Sequence, residues 1–496
     1  VISSPQEERS LQYDLLIIGG GVNGCSIARD AAGRRLSVRL VEQNDLASGA
    51  SSMSTKLIHG GLRYLELYEF KLVRQSLVER ERLLANAPHI IWPLKFVLPY
   101  QKGLRPFFLL RLGLFLYDHL APRRRLEASR AISFHESDLG SPLQAVFKKG
   151  FTYADCWVDD ARLVVLNALE ARERGAEISS GCALVEAQRM PAGWRAKFDN
   201  GEEIFARVLI NAAGPWVLEV IEGALAIESN KHMRLVKGSH IVTTKLYEGA
   251  QAYILQNSDG RIVFVIPYEQ DFTLIGTTER VHDGKACAVE ICDQEIDYLL
   301  SCVNAFFRKP VRRANIIWRY AGLRPLYDDG ALEASVVTRD YAFDLDAPAD
   351  SCAVLSIFGG KLTTSRRLAE HALDTLAPFF PHAGPAWTQD APLIGGDIDF
   401  EVYVAQLQQR YPFLSARTSL RLARAYGQRV EMILKDASSM SDLGQNFGQD
   451  LTQAEVSYLI QHEFARSAED ILWRRSKLGL HMTEDEKSAL RDFIGR

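Results

Sequence analysis

The stretch YDLLIIGGGVNG, residues 13–24, constrains the fold more than any other part of the chain. Leu15 to Ile18 form a continuous apolar run, the pattern of a strand buried on both faces. Gly19-x-Gly21-x-x-Gly24 follows at once and opens a helix, CSIARDAAGRR. LSVRLVE, ending in Glu42, reads as a second strand, so the segment is a βαβ unit. Glycines there permit a tight turn and close approach of backbone to a pyrophosphate, and the helix N-terminus supplies N–H groups and a positive dipole end. Glu42 stands where an acid accepts hydrogen bonds from ribose hydroxyls. The glycine motif alone is weak; with strand, helix, second strand and terminal acid in register it predicts dinucleotide binding.

Two later segments bear on which dinucleotide. VLINAAGPW, residues 208–216, is a strand running into small residues, with Gly214 and Trp216 at its end. It resembles the segment of FAD proteins that closes over the adenosine-pyrophosphate part. SIFGGKLTT, residues 356–364, is another strand feeding glycines (Gly359, Gly360) into a helix start at Lys361, Leu362 and Thr363. In FAD folds such a turn aims a helix N-terminus at the flavin edge that becomes negative on reduction, and Lys361 adds to that field. Each turn also fits an ordinary strand-to-helix connection. Three in this order favour FAD over NAD. Asn23 in the first turn and Ser51, Ser52, Lys56 and Leu57 in the small-residue stretch after the second strand complete the expected cofactor contacts.

With 496 residues, 47% hydrophobic and 24% charged, the chain has room for about two to four domains. The expected class is α/β: a Rossmann-like FAD-binding domain with an inserted mixed β-sheet substrate domain, followed by an all-helical C-terminal domain. The FAD-binding domain is expected over 13–390, with cap segments interleaved at roughly 70–150 and 220–350, and the helical domain over 391–496. The Pro- and Gly-rich stretch PFFPHAGPAWTQDAPLIGG marks the boundary, and Thr483-x-x-Glu486 is a capping-box candidate near the end. Leucines from Leu62 to Leu84 predict one helix. Net charge −4, from 58 basic and 62 acidic residues, gives no field suited to nucleic acid. Seven scattered cysteines without a C-x-x-C pair argue against a zinc site or disulfide framework and fit a reducing compartment; no metal is expected. The polar N-terminus has no signal-peptide core, and no apolar run is long enough to span a bilayer. RPFFLLRLGLFLYDHL, residues 105–120, reads either as a buried helix or as one lying in a membrane interface with flanking Lys102, Arg105 and Arg123–Arg125 toward anionic headgroups.

TKLIHGGLRYLE, residues 55–66, holds the one histidine with two glycines beside it. A histidine among apolar residues is more often a core residue than a catalytic one. The motifs around it decide the expectation. IIGGGVNG, SSMSTKLIHGGLRYLE, YADCWVDDARL, NAAGPWV, KGSHIV, YILQNSDGRIVFVIPY, IGTTE, YAGLRPL, TRDY and FGGKLTT resemble the FAD-dependent glycerol-3-phosphate dehydrogenases, in particular their bacterial aerobic, respiratory branch. The resemblance runs from about residue 13 to 376 and continues into the helical region through YPFL, DLGQNFG and LWRRSKLG.

That resemblance implies oxidation of sn-glycerol 3-phosphate to dihydroxyacetone phosphate by hydride transfer from C2 to flavin N5, with electrons passed to membrane quinone. It implies His59 as base or proton relay and Arg63, Tyr64, Arg324 and Arg339 around the substrate. Arg324 would hold the oxygen at C2 and Arg339 the phosphate, although the assignment between the two stays open. Lys361 would serve flavin, substrate oxygen or both. A hydroxide, a water or a coupled Arg–His pair is an alternative base. The expected location is peripheral, on the cytoplasmic face of the inner membrane against its lipids; a homodimer is compatible with it. A soluble oxidase passing electrons to oxygen, and a flavin-binding sensor without turnover, are the competing readings. An amine oxidase on the same scaffold suits the several cations less well than a phosphate does.

Overall fold

The computed structural model describes residues 12–328, 340–349 and 351–495. β1 (Tyr13–Ile18) lies inside an eight-stranded sheet. It pairs in parallel with β2 (Val38–Glu42) on one side and with Glu203–Asn211 on the other, Ile17 standing opposite both Leu40 and Ile210. Glu203–Asn211 continues in parallel to Val354–Phe358, and β2 to Glu177–Ser180. The apolar run of β1 is buried on both faces, as its sequence predicts. Leu15 and Ile17 pack with Leu40 and Ile210 under the helices α1 (Val22–Gly33), Asp160–Glu173 and Ser365–Thr375. Leu16, Ile18, Val41 and Leu209 pack on the other face under Trp194, Ala187 and Phe198 of a β-hairpin. Three neighbouring parallel strands therefore end at one edge, and they carry the three glycine turns read from sequence: Gly19, Ala212–Gly214 and Gly359–Gly360.

A second sheet of ten strands is built from segments inserted between these strands. Its members include Leu57–Ile58, Ile91–Pro99, Lys149–Val158, His232–Thr244, Ile262–Tyr268, Phe272–Gly276 and Ile316–Asp328. Most pairs are antiparallel, while Ala252–Gln256 runs parallel to Ile91–Pro99, so the sheet is mixed. Leu57–Ile58 pairs with Trp157 and Cys156, and this seats His59 at the junction of the two sheets.

The C-terminal region is helical, with a core of its own around Leu407, Leu422, Tyr426, Leu459, Leu472 and Leu490. The capping box of Thr483 and Glu486 opens its last helix, Glu484–Ile494. The seven cysteines are unpaired, and no His/Cys/Asp/Glu cluster suited to a metal occurs among the described residues.

The helix expected from Leu62 to Leu84 is a correction. Leu62–Leu67 is a 3-10 helix, and an α-helix begins only at Phe70 and runs to Asn86. Tyr68, at φ 59°, sits in the left-handed region and breaks the run. A tighter three-residue turn carries Leu62 and Leu65 at spacings that mimic an α-helical stripe.

Candidate active site

One cavity of about 1530 Å³ runs between the sheets and takes in all three glycine turns. At its nucleotide end Gly19 adopts φ 110°, and a Cβ there would stand 2.6 Å from Ala212 O, so glycine is required where the first turn meets the second. Glu42 accepts the Gly20 N–H (2.7 Å) on one carboxylate oxygen and the Asn44 N–H (2.8 Å) on the other. Each oxygen keeps a lone pair for a ribose hydroxyl. Burial pushes the Glu42 carboxyl up, opposed by those two N–H donors. Ser51 Oγ accepts the Val22 N–H (2.9 Å) at the start of α1, leaving its hydroxyl hydrogen to donate to an anion. No acidic side chain occupies the first turn of that helix, so its dipole is uncancelled. Asn23 Nδ2 donates to Gly359 O (3.0 Å) and ties the first turn to the third, while its Oδ1 is buried without a partner among the described residues. Gly21, Leu57, Gly214, Trp216, Gly359, Gly360, Leu362 and Thr363 also line the cavity. These features fit a flavin dinucleotide.

Three expected cofactor residues lie elsewhere. Gly24 is needed for packing: a Cβ on it would stand 2.0 Å from Gly19 O, and it does not reach the cavity. The Ser52 side chain is buried outside the lining. Lys56 turns inward, its Nζ donating to Asp160 (2.9 Å to each oxygen) and to Ser52 O (3.0 Å). Both members of the Lys56–Asp160 pair are fully buried. Removing one partner strands a charge, so Lys56→Met should cost roughly 3–5 kcal/mol of stability. Urea titration of the variant checks this; an unchanged midpoint would show that the pair is not holding the loop.

At the other end the cavity is lined by His59, Arg63, Tyr64, Asp155, His240, Glu279, Arg324 and Lys361. Thr363 Oγ1 accepts the His59 N–H (3.2 Å), so the third turn fixes the histidine backbone. Behind it, Tyr117 Oη accepts the Gly60 N–H (2.7 Å) and donates to Asp155 (2.7 Å), which also accepts from Arg80 (2.6 Å). Burial pulls the His59 pKa below the ordinary imidazole value; the Asp155 charge opposes this, while Lys361, Arg80 and Arg324 reinforce it. A neutral imidazole at neutral pH can accept a proton. Lys361 Nζ stands 4.3 Å from the centre of the Tyr64 ring. Arg63 and Arg324 each place Nη1 3.4 Å from a Glu279 oxygen, so one carboxylate links two guanidinium groups beside the histidine. Arg339 lies outside the described residues.

Asp155, His240 and Glu279 carried no expected role, although all three stand in the motifs YADCW, KGSHIV and IGTTE. His240 Nε2 lies 3.0 Å from Thr55 Oγ1, and its ring stacks on Tyr320. Burial, with Lys56 and Arg324 nearby, holds it well below the ordinary imidazole range.

Residues 14–366 match the family model described as FAD dependent oxidoreductase, and 386–494 match the C-terminal domain of alpha-glycerophosphate oxidase. The chain is 52% identical to a glycerol-3-phosphate dehydrogenase of Pseudomonas aeruginosa, over 97% of this chain and 95% of that one. It belongs to the family of FAD-dependent glycerol-3-phosphate dehydrogenases. It is also 49% identical to D-erythritol 1-phosphate dehydrogenase of Brucella abortus, over 97% of each chain. The crystal structure of glycerol-3-phosphate dehydrogenase from Bacillus halodurans, complexed with FAD, superposes with a TM-score of 0.76 at 27% identity, covering 98% of this chain and 94% of that one. The Rossmann-like and mixed-sheet architecture with its helical C-terminal domain is thus the fold of this family, and FAD is its cofactor.

Proposed function

We propose that this chain oxidises sn-glycerol 3-phosphate to dihydroxyacetone phosphate and hands the electrons to a membrane quinone. One observation carries the reading: Arg63 and Arg324 flank Glu279 in the same cavity as His59 and Lys361. Two guanidinium groups form a seat for a phosphate dianion, which competes with the Glu279 carboxylate for them. His59 takes the proton of the C2 hydroxyl as the carbon loses hydride. Lys361, at the start of the helical turn Leu362–Thr364, places positive charge where oxygen charge develops. When bound, FAD supplies the two-electron acceptor. Asp155, held by Arg80 and Tyr117 behind the histidine backbone, favours the protonated histidine through its charge.

The relative acting on D-erythritol 1-phosphate motivates a second reading, a polyol phosphate one carbon longer. Anaerobic mixing with each compound, following the oxidised flavin band, separates the two. Rapid bleaching by glycerol 3-phosphate, with slow bleaching by D-erythritol 1-phosphate and far slower bleaching by glycerol, is the expected result. Faster bleaching by the four-carbon substrate would replace the assignment. Stoichiometric hydrogen peroxide in air would make oxygen, not quinone, the acceptor.

The membrane part of the proposal rests on the helix Phe107–His119. It leaves Phe108, Leu109, Leu112 and Phe115 exposed, with Leu67, Tyr68 and Phe70 exposed on the neighbouring segment that Arg105 joins through Glu66. No helix among the described residues is long and apolar enough to cross a membrane. This one spans about 20 Å at 1.5 Å per residue, which suits lying in the interface. Exposed Lys102, Arg124 and Arg125 flank it and suit anionic headgroups. Serine at 108, 112 and 115 together should lower partition onto anionic vesicles by at least roughly a hundredfold, given about 1.5–3 kcal/mol per buried large apolar side chain. Dye-linked activity should survive. Unchanged vesicle sedimentation would move the docking surface elsewhere.

A further inference from the structure

We infer that the C-terminal helical domain forms part of the cofactor site and holds the adenosine end of the dinucleotide, with Arg474 as the contact and Arg475 as its anchor. This rests on FAD occupying the cavity. Ser467, Glu469, Asp470 and Arg474 come from the C-terminal domain, yet they line the same cavity as Glu42 to Asp45, Cys182, Leu184 and Val185. Ribose belongs at Glu42. Adenine attached to that ribose would extend past the end of β2 toward the loop Gln43–Asp45, where the C-terminal domain stands.

The contacts there are charged and buried. Arg475 has no exposed side-chain surface and makes a two-pronged pair with Asp45, 2.7 Å on each prong. Its Nε donates to Glu463 O (2.9 Å), which fixes the guanidinium within its own domain. Arg474 pairs with the same Asp45 and with Asp470. Asp470 in turn accepts the N–H groups of Arg466 and Ser467, 2.9 Å each. Arg466 Nη1 donates to Ser180 O (2.8 Å), at the end of the strand beside β2. The loop that follows Glu42 is thus pinned to the other domain by a two-pronged pair, the geometry with the greatest orientational specificity. Arg475 is a positioning residue for that loop. Arg474, its side chain largely buried, places a cation at this end of the cavity.

The test is the rate at which full-length holoprotein releases FAD, read as the rise in free-flavin fluorescence on dilution. Arg474→Gln leaves the Arg475–Asp45 pair in place and should speed release on the order of tenfold, the scale of a lost charge-assisted contact. Arg474→Lys, which retains the charge, should restore much of the slow release. Arg429→Gln is the control: it severs Arg429–Glu173, another link between the C-terminal domain and the helix Asp160–Glu173, whose two residues do not line the cavity. Release from it should match wild type. The inference fails if Arg474→Gln releases FAD at the wild-type rate. It fails equally if Arg429→Gln releases it as fast as Arg474→Gln, since general loosening of the domains would then explain both. A purified protein that binds no flavin would instead remove the FAD assignment itself.

Discussion

His59→Ala is expected to retain FAD while slowing anaerobic flavin reduction by glycerol 3-phosphate by roughly 10²–10⁴-fold, the usual contribution of a positioned general base. The reasons lie in how the residue is held. Its backbone is fixed by Thr363 from the third glycine turn, and none of the polar contacts that hold the nucleotide end involves the imidazole. The same site gives a pH dependence. Burial pulls the His59 pKa below the ordinary value of 6.5, helped by three neighbouring cations. The neutral form therefore persists through neutral pH. Reduction should stay constant from neutral upward and decline only when pH falls below the ordinary imidazole range. The pH profile of kcat/KM reports this directly. An inflection at or above the ordinary value would contradict it, as would a variant whose flavin is reduced at the wild-type rate.

Arg324→Ala should lower kcat/KM for glycerol 3-phosphate by about a hundredfold, mostly through KM, because a charge-assisted contact to a dianion is lost. Glycerol, which has no phosphate, should suffer little. Arg324→Lys should recover only part of the loss, since an ammonium cannot reproduce a two-pronged fork. Arg63 shares Glu279 with Arg324, so the double variant should lose less than the product of the single losses. Steady-state kinetics on both substrates decide the role. Equal losses on glycerol and glycerol 3-phosphate would reassign Arg324 to the oxygen at C2, which the two compounds share.

How much of this was readable from residues alone depends on distance along the chain. The β1–Gly–α1–β2–Glu42 unit is local: its apolar runs, glycines and acid all fall within one short segment, so pattern and geometry agree. The later turns at Gly214 and Gly359–Gly360 were legible for the same reason, each being a strand that ends in small residues. The break at Tyr68 was not, because nothing in an aromatic side chain announces a left-handed backbone. The side chains of Lys56 and Ser52 lie outside the cavity lining, and the irregular stretch before Leu57 has no periodicity to say which way a side chain points. Asp155 and Glu279 stand in recognisable motifs, yet their roles depend on Arg80 from a distant helix and on two arginines from separate segments. No local signal could have tied Asp45 to Arg475, since 430 positions separate them.

The three glycine turns have a kinetic consequence. Residues near 19, 214 and 360 must meet before the cavity exists, and each meeting closes a loop of well over a hundred residues. Topologies dominated by such distant pairings assemble slowly and expose strand edges meanwhile. A ligand that recognises only the finished arrangement then acts as a folding ligand: at a hundred times its dissociation constant it adds about 2.7 kcal/mol to the native state. Flavin supply during synthesis should therefore set how much of this chain survives proteolysis, so that a flavin-starved cell accumulates less protein rather than the same amount of colourless protein.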